Sequence, residues 1–506
     1  MMWLLWVVLL KGLEAPAAKI YPPFAEDAKK FIASLPSKSV TIDLVVGLAL
    51  KNSDKFQQIR ALAPTTEIPE LNSKIPLEFT TEASFAYTLN RNEPDSAFAA
   101  TRSELHQGVL GFSKYFASGT GVEMRVTHGH ALKELSILGN VALDDNRTSY
   151  AELSLSQNLW RDAFGYATRR SLRRGKIESE SRRLEIEQYV EEWHLAIVQT
   201  YYRAWSAQAD VRAAESGLKR REKLLDTTRR KVTSGTAERP DFFQVKSAFV
   251  GSKIRLQNSR EILDAIWRDL VVTLKFPKHW MNSDPLLVPV ALDNPMAPAL
   301  QLCQQNVKPS SQNSTSVRRS ELDKNAAELN FESAKNQVSP QLQLNLIMGS
   351  NGVDSIDAGE SLNEAFSGTH PNYTAMLALK VPWDNYQAKA QALQAFSQKG
   401  TNEAKYKDSI SRFEIDWMNQ CEQLRHWQEK VTELRDVMND QRSRLVLEES
   451  RFRVGRVPLI NLIQAGDDQT DAEVNLARAE VEYRLTSWRI RHLSGLLKSY
   501  LDQLGK

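Results

Sequence analysis

The chain has 506 residues, enough for two to four compact domains, but its low glycine and proline content (22 and 19) and its 25% of charged residues read as long solvated helices rather than a large buried core. The formal net charge is +3, with basic and acidic residues interleaved, which excludes the basic stripe that nucleic acid requires. No cysteine or histidine pair has metal-ligand spacing, and there is no phosphate loop, dinucleotide fingerprint or nucleophile elbow, so the sequence offers no catalytic, cofactor or metal site.

Met1 to Leu10 is apolar, and Ala15-Pro16-Ala17 follows as a small-x-small cleavage pattern. This predicts a signal peptide over residues 1–17, too short to span a bilayer. No later segment has the roughly 18 apolar residues of a membrane helix. Exported chains of this kind are periplasmic, secreted or β-barrels. Residues 18–104 read as an N-terminal periplasmic segment. It holds a short amphipathic helix from Thr41 to Arg60 (apolar at Leu44, Leu48, Leu50 and Phe56, with Thr41 and Asp43 as caps), then an irregular stretch through Pro64, Pro69, Pro76 and Pro94.

Four segments alternate with period two: Val122 to Thr127, Ala151 to Leu159, Gln341 to Met348 and Tyr373 to Val381. They predict two β-hairpins, over 105–160 and 341–383. Polar loops are expected to hold Gly129, Gly139, Asp144, Asp145 and Asn146 in the first and to run from Gly349 to His370 in the second. The alternation fits a half-buried soluble sheet or a transmembrane barrel strand. The signal peptide and the repetition favour the barrel. Tyr115, Phe116, Tyr150, Trp160, Tyr373 and Trp383 lie near strand ends, where girdle aromatics belong. His128 and His130 read as strand-end polar residues. The basic run Arg169 to Arg174 opens a helix and reads as a solvated face or a lipid-headgroup contact.

Two helical hairpins follow, over 161–275 and 384–506. Their first arms run from Gly165 to Val232 and from Tyr386 to Val454, each roughly 65 residues and so about 100 Å long. Such helices need partners along their whole length. Between the halves, residues 276–340 form a shorter mixed region with one helix, Ser316 to Gln337. The hairpins are copies: Gly235 and Gly455 hold the same place in each, where a long helix must stop, turn and restart. The strand ends at Asn158 and Pro382 are offset by nearly the same interval as the two glycines. A half-structure used twice places function at the tips and open ends. Cys303 and Cys421 are far apart in sequence and are expected to be free thiols.

Several of these features coincide in one known family. They are the opening helix with Thr41, Leu44, Ala49, Leu50 and Asn52; the strand end Leu155-Ser156-Gln157-Asn158-Leu159 and its Pro382 counterpart; and the doubled glycine turn followed by an Asp/Asn-x-x-Gln helix start. Tyr115 to Gly121 also looks like the family's first strand. With them, nearly the whole mature chain resembles the TolC-type outer-membrane efflux proteins. The resemblance implies a mainly α fold with a transmembrane β-barrel contribution: long antiparallel coiled-coil hairpins plus four β-strands per chain, internally duplicated. It implies a homotrimer in outer-membrane lipid, with a trimeric α-helical barrel and a shared β-barrel. Four strands are too few to close a membrane barrel alone, which agrees. The implied partners are a periplasmic adaptor (membrane fusion) protein and an inner-membrane transporter, for efflux or type I secretion.

By motif position, the adaptor would meet Ser234, Gly235 and Thr236, and Val454, Gly455 and Arg456. The closed aperture would be lined by Asn461 and Gln464, where the family carries two acidic positions, and by their first-copy counterparts Asp241 and Gln244. Neutral amides bind cations weakly, so an acidic ring would have to come from Asp241 or from Asp467 and Asp468. Each of these carboxylates also suits a helix start, as a cap and dipole partner. The alternative function is a soluble periplasmic coiled-coil scaffold without channel activity. It accounts for the helices but not for apolar strand faces repeated in both halves.

Overall fold

A computed structural model describes residues 30–31, 33–35, 38–91, 100–137, 140–282, 284–292, 301–303 and 309–504. The stretch read as a signal peptide, and Gly139, lie outside them. In chain order the principal elements are α1 (Ile42–Asn52), α2 (Asp54–Ala61), α3 (Ile68–Lys74), β1 (Phe79–Asn90), β2 (Ala100–Tyr115), β3 (Thr120–Ile137), β4 (Asn140–Asn158), α4 (Tyr166–Thr233) and α5 (Arg239–Thr273). Then come α6 (Thr315–Gln337), β5 (Gln341–Asp354), α7 (Ala358–Ser367), β6 (Pro371–Lys380), α8 (Tyr386–Arg453), α9 (Leu459–Leu493) and α10 (Leu496–Leu504). They form two units. One comprises 62–186 and 315–411, and the other comprises residues up to 61, 187–314 and 412–506.

The first unit is built on one antiparallel sheet in the order β1-β2-β3-β4-β5-β6. It has six strands where four were expected. β1 lies in the stretch read as irregular, because threonines and alanines dilute its alternation and prolines flank it. In β2, Gly108, Gly111 and His106 interrupt the apolar positions. The strands also run further than their apolar cores. Gly129, Asp144, Asp145 and Asn146 lie within β3 and β4, not in a loop. Their polarity is absorbed by cross-strand pairing: Lys133 stands opposite Asp144, and His130 Nε2 lies 2.7 Å from Asp145 Oδ1. The expected second loop is partly β5 and partly α7, which packs on β4 and β5. Ser149 and Ser361 meet there, Oγ to Oγ at 2.9 Å, both fully buried. Gly352 makes room for this helix, since a Cβ there would clash with the Ser361 carbonyl oxygen.

The registers separate two faces. Phe79, Leu110, Phe112, Met124, Val126, Leu153, Leu155, Leu346, Met348, Tyr373 and Leu377 fall on one. Around these residues that face is apolar and open, with Met348 49% and Leu377 63% exposed; further along the strands it carries His106, His128 and His130, and α7 covers it at Ser149. Thr80, Ser113, Glu123, Ser154, Gln343 and Asn345 fall on the other. It holds a cavity of about 590 Å³.

The second unit is helical, and it contains the paired ends of the long hairpins. α4 and α8 each have 68 residues, and α5 and α9 each have 35. All four start and end points of the second copy follow those of the first by one constant interval, the interval from Gly235 to Gly455. Tyr386 follows Tyr166 by it, and Leu493 follows Thr273. Packing within the unit relies on buried polar anchors. Tyr201 donates its hydroxyl to the Ala291 carbonyl at 2.6 Å, and Gln208 donates to the carbonyls of Pro285 (3.0 Å) and Val288 (2.8 Å). The backbone of Val40 bridges that of Val290 in parallel.

Cys303 and Cys421 are not free: they form a disulfide, with Cα atoms 5.5 Å apart. The sequence separation of 118 hid this, because the fold brings both against Trp417, Leu424 and Ile490. A disulfide suits an oxidising compartment. Cys421→Ser is expected to lower the stability of the helical unit by about 2–4 kcal/mol, read as a fall in thermal midpoint that reductant reproduces in the wild type.

His194 is fully buried against the rings of Trp488 (5.2 Å) and Tyr500 (5.7 Å), and neither ring nitrogen has a hydrogen-bond partner. Burial, helped by the charges of Arg491 and His492, pushes its pKa down to about 3 from 6.5. The neutral ring therefore favours the folded state above pH 6.5, and that stability is lost progressively as pH falls from 6.5 towards 3. His194→Phe keeps the ring contacts and removes the titration. Its acid-unfolding midpoint, followed by circular dichroism, is expected at lower pH than the wild type's.

Candidate aperture at the hairpin tips

Each tip is built by one local device. α4 ends with Gly235 at φ +71°, where Gly235 N–H donates to the Val232 carbonyl (3.1 Å) and Thr236 N–H reaches back to Lys231 (2.8 Å). α8 ends with Gly455 at φ +74°, with the same bonds from Gly455 to Phe452 (3.1 Å) and from Arg456 to Arg451 (2.9 Å). This left-handed closure satisfies the last carbonyls of a helix, and glycine adopts it without steric cost. Ser234, Thr236, Val454 and Arg456 flank the two glycines and are exposed. The sequence placed all six residues on two equivalent turns, and that is where they lie.

The four aperture candidates sit one turn further on. Asp241 is half-buried and forms a capping box with Glu238, accepting from the Glu238 N–H at 3.4 Å. Gln244 is exposed. Asn461 and Gln464 are exposed on α9, beside the buried stretches Leu462-Ile463 and Ala465-Gly466. Asp467 and Asp468 are both engaged: Asp467 lies 2.8 Å from Arg221 Nη2, and Asp468 lies 2.8 Å from Arg444 Nη1.

The tips are held together by a set of bonds that sequence reasoning missed. Leu224, Val245, Leu445, Leu459, Leu462, Ile463 and Ala465, from all four helices, form an apolar cluster. Just beyond it Arg221, 5% exposed, reaches from α4 to α9. It donates to the Ile463 carbonyl and pairs with Asp467. Arg220 donates to Thr470 Oγ1 at 2.8 Å, and Arg255 of α5 pairs with Asp471. Ile463, Asp467, Thr470 and Asp471 form one stripe of α9, at the spacing that puts side chains on a common helix face. Lys231 adds a bond to the Phe452 carbonyl (3.4 Å) and stands 4.3 Å over the Phe452 ring. A cavity of about 610 Å³ opens between the helices, lined by Arg220, Arg221, Gly251, Phe452 and Gly466 among others. Burial lowers the pKa of the Arg220 guanidinium, an effect that Glu473 and Glu449 oppose.

Gly466 lies against the Arg221 guanidinium; a Cβ there would stand 3.4 Å from Arg221 Nη2, an ordinary van der Waals contact, so the position would admit alanine. Nothing local in the sequence marks Arg221 out from the other arginines of α4. Losing Arg221 removes a charged donor from a buried carbonyl. Losing Asp467 leaves that bond in place, and Asp467 is 53% exposed, so its ion pair is screened. Arg221→Ala is therefore expected to weaken the joint by about 1–3 kcal/mol, and Asp467→Asn by less. Hydrogen exchange across 459–471 measures both.

No protein-family model and no curated protein matches the sequence. Solved structures do match along most of its length. The outer membrane protein VceC of Vibrio cholerae is 11% identical, with 90% of this chain and 96% of that one covered and a TM-score of 0.64. The CmeC outer membrane channel of Campylobacter jejuni is 12% identical, with 98% and 97% covered and a TM-score of 0.66. The MtrE outer membrane channel of Neisseria gonorrhoeae, in its open state, is 13% identical, with 90% and 88% covered and a TM-score of 0.61. At these identities the likeness is one of fold, and the fold is that of outer-membrane channels.

Proposed function

We propose that the chain is an outer-membrane channel, the exit duct of a tripartite efflux or type I secretion system. The observation that carries this is the sheet. The exposed apolar band on one face and the largely polar cavity on the other suit lipid on one side and a water-filled lumen on the other, and the same chain carries duplicated helical hairpins. Among the described residues no helix is long and apolar enough to cross a membrane. In this reading three copies share one barrel in outer-membrane lipid, and their hairpins line a passage across the periplasm. A periplasmic adaptor docks at Ser234, Gly235 and Thr236 and at Val454, Gly455 and Arg456. An inner-membrane transporter supplies the cargo, which crosses passively.

Closure follows from the tip chemistry. Asn461 and Gln464 are exposed amides that would hydrogen-bond around a three-fold axis. Asp241 uses part of its acceptor capacity on its own helix start, with Gln244 beside it. Opening would part the two hairpins of each copy, which breaks the Arg221 bonds first because they join α4 directly to α9.

Planar-bilayer recording of the purified oligomer tests this. Small conductances are expected that rise several-fold in Arg221→Ala and that millimolar divalent cation leaves unchanged. Divalent block abolished by Asp241→Ala would move the closing ring to the first hairpin. Release by osmotic shock, with no insertion into bilayers, would instead identify a soluble scaffold.

A further inference from the structure

The two halves of the chain are unequal in one place. α3 and Pro76 lead into β1 as α6 and Pro340 lead into β5, and β4 and β6 each end shortly before a long helix. β1 therefore corresponds to β5, and β4 to β6. The stretch from Pro76 to Asn158 is nearly twice as long as its counterpart from Pro340 to Pro382. β2 has 16 residues and β3 has 18, and with the short turn between them they account for almost all of the excess. The surplus is thus one hairpin, set between β1 and β4.

We propose that this hairpin is an inserted wall element that widens the shared barrel. Each copy would contribute six strands and a trimer eighteen, the strand count of porins that keep an open aqueous lumen. The proposal rests on the channel reading. Three observations place the hairpin in the wall rather than folded inside or outside it. It is hydrogen-bonded on both sides, β2 to β1 and β3 to β4, along nearly its whole length. Its Leu110, Phe112, Met124 and Val126 continue the apolar face. Its Ser113 and Glu123 line the cavity with Ser154 and Gln343.

The insertion also leaves the edges matched. Two added strands preserve direction, so β1 and β6 remain antiparallel to each other. They are 12 and 10 residues long, and both are exposed throughout. β1 starts at the sheet end where β6 finishes, since Phe79 pairs level with Lys114 and Gln341 with Lys380. A second copy can therefore seat its β6 against β1 with antiparallel bonding. An edge left open in hydrocarbon would strand its backbone amides and carbonyls, so that pairing must be made. The occupant of each edge is a second copy of this chain.

Electron cryo-microscopy of the full-length protein in lipid nanodiscs tests the proposal. Eighteen strands in a trimer are expected, with β1 beside the β6 of the next copy. A variant lacking residues 100–139 should form a twelve-strand barrel. The largest poly(ethylene glycol) that enters it from the barrel side, read by its effect on conductance, should be smaller than for the wild type. A twelve-strand wild-type barrel with the hairpin outside the wall would overturn the proposal and leave the channel reading intact. So would an unchanged polymer cut-off in the variant. A wild type that forms no barrel and no conductance would overturn both. If the deletion variant does not fold, the strand count of the wild type decides alone.

Discussion

A helix of 68 residues with little amphipathic bias cannot hold itself straight in water, and it must be covered turn by turn along its length. That requirement explains more of this molecule than any single contact. It demands a second helix folded back along the first, and so a reversal tight enough to keep the two in contact. Gly235 and Gly455 supply that reversal. The helices must also approach closely, and the packed faces accordingly carry small residues: Ala204, Ala207, Ala213 and Ala214 on α4, and Ala465, Ala472, Ala477 and Ala479 on α9. One hairpin still leaves faces uncovered, and its copy from the second half of the chain supplies part of the cover.

The tips are the place where this packing is incomplete. Around the apolar cluster, contact between the hairpins passes to arginines and hydroxyls over a cavity of about 610 Å³. Apolar contacts are non-directional and can slide past one another, whereas the Arg221 bonds need one particular carbonyl and one particular carboxylate in place. A joint of this kind is stable when formed and is released as a unit. Arg221 is suited to that role because it is buried while its partner Asp467 is half in solvent. Breaking the pair would expose a buried guanidinium but a carboxylate that is already half hydrated, so the change in hydration would fall mainly on Arg221.

Much of this was legible in the sequence because it is periodic or local. The helices, their equal lengths and the glycine turns follow from residues near one another in the chain. So do the strand cores at Ala151 to Leu159 and Gln341 to Met348. What escaped is long-range. Nothing around Cys303 indicates Cys421, and nothing around Arg221 indicates the distant Ile463 carbonyl. β1 and β2 escaped for a different reason. Their apolar faces are interrupted by Thr81, Gly108 and His106, and they become recognisable as strands once β3 is beside them. The charged ends of β3 and β4 read as loop until Lys133 is seen opposite Asp144.

The two halves also differ in what they tolerate. The helical part has kept one constant spacing between its copies across both hairpins, while the strand part of the first half is longer by a hairpin. Physical reasons account for the contrast. One residue added to a long packed helix rotates everything beyond it by about 100°, which turns the covered face to water and moves the tip out of register. A hairpin added to an antiparallel sheet disturbs neither face and neither edge, provided it brings two strands. One extra strand would leave the two edge strands of the sheet parallel to each other and put the chain at the wrong end of the sheet for the next helix. The sheet can therefore grow in steps of a hairpin, whereas a long packed helix admits no single-residue addition.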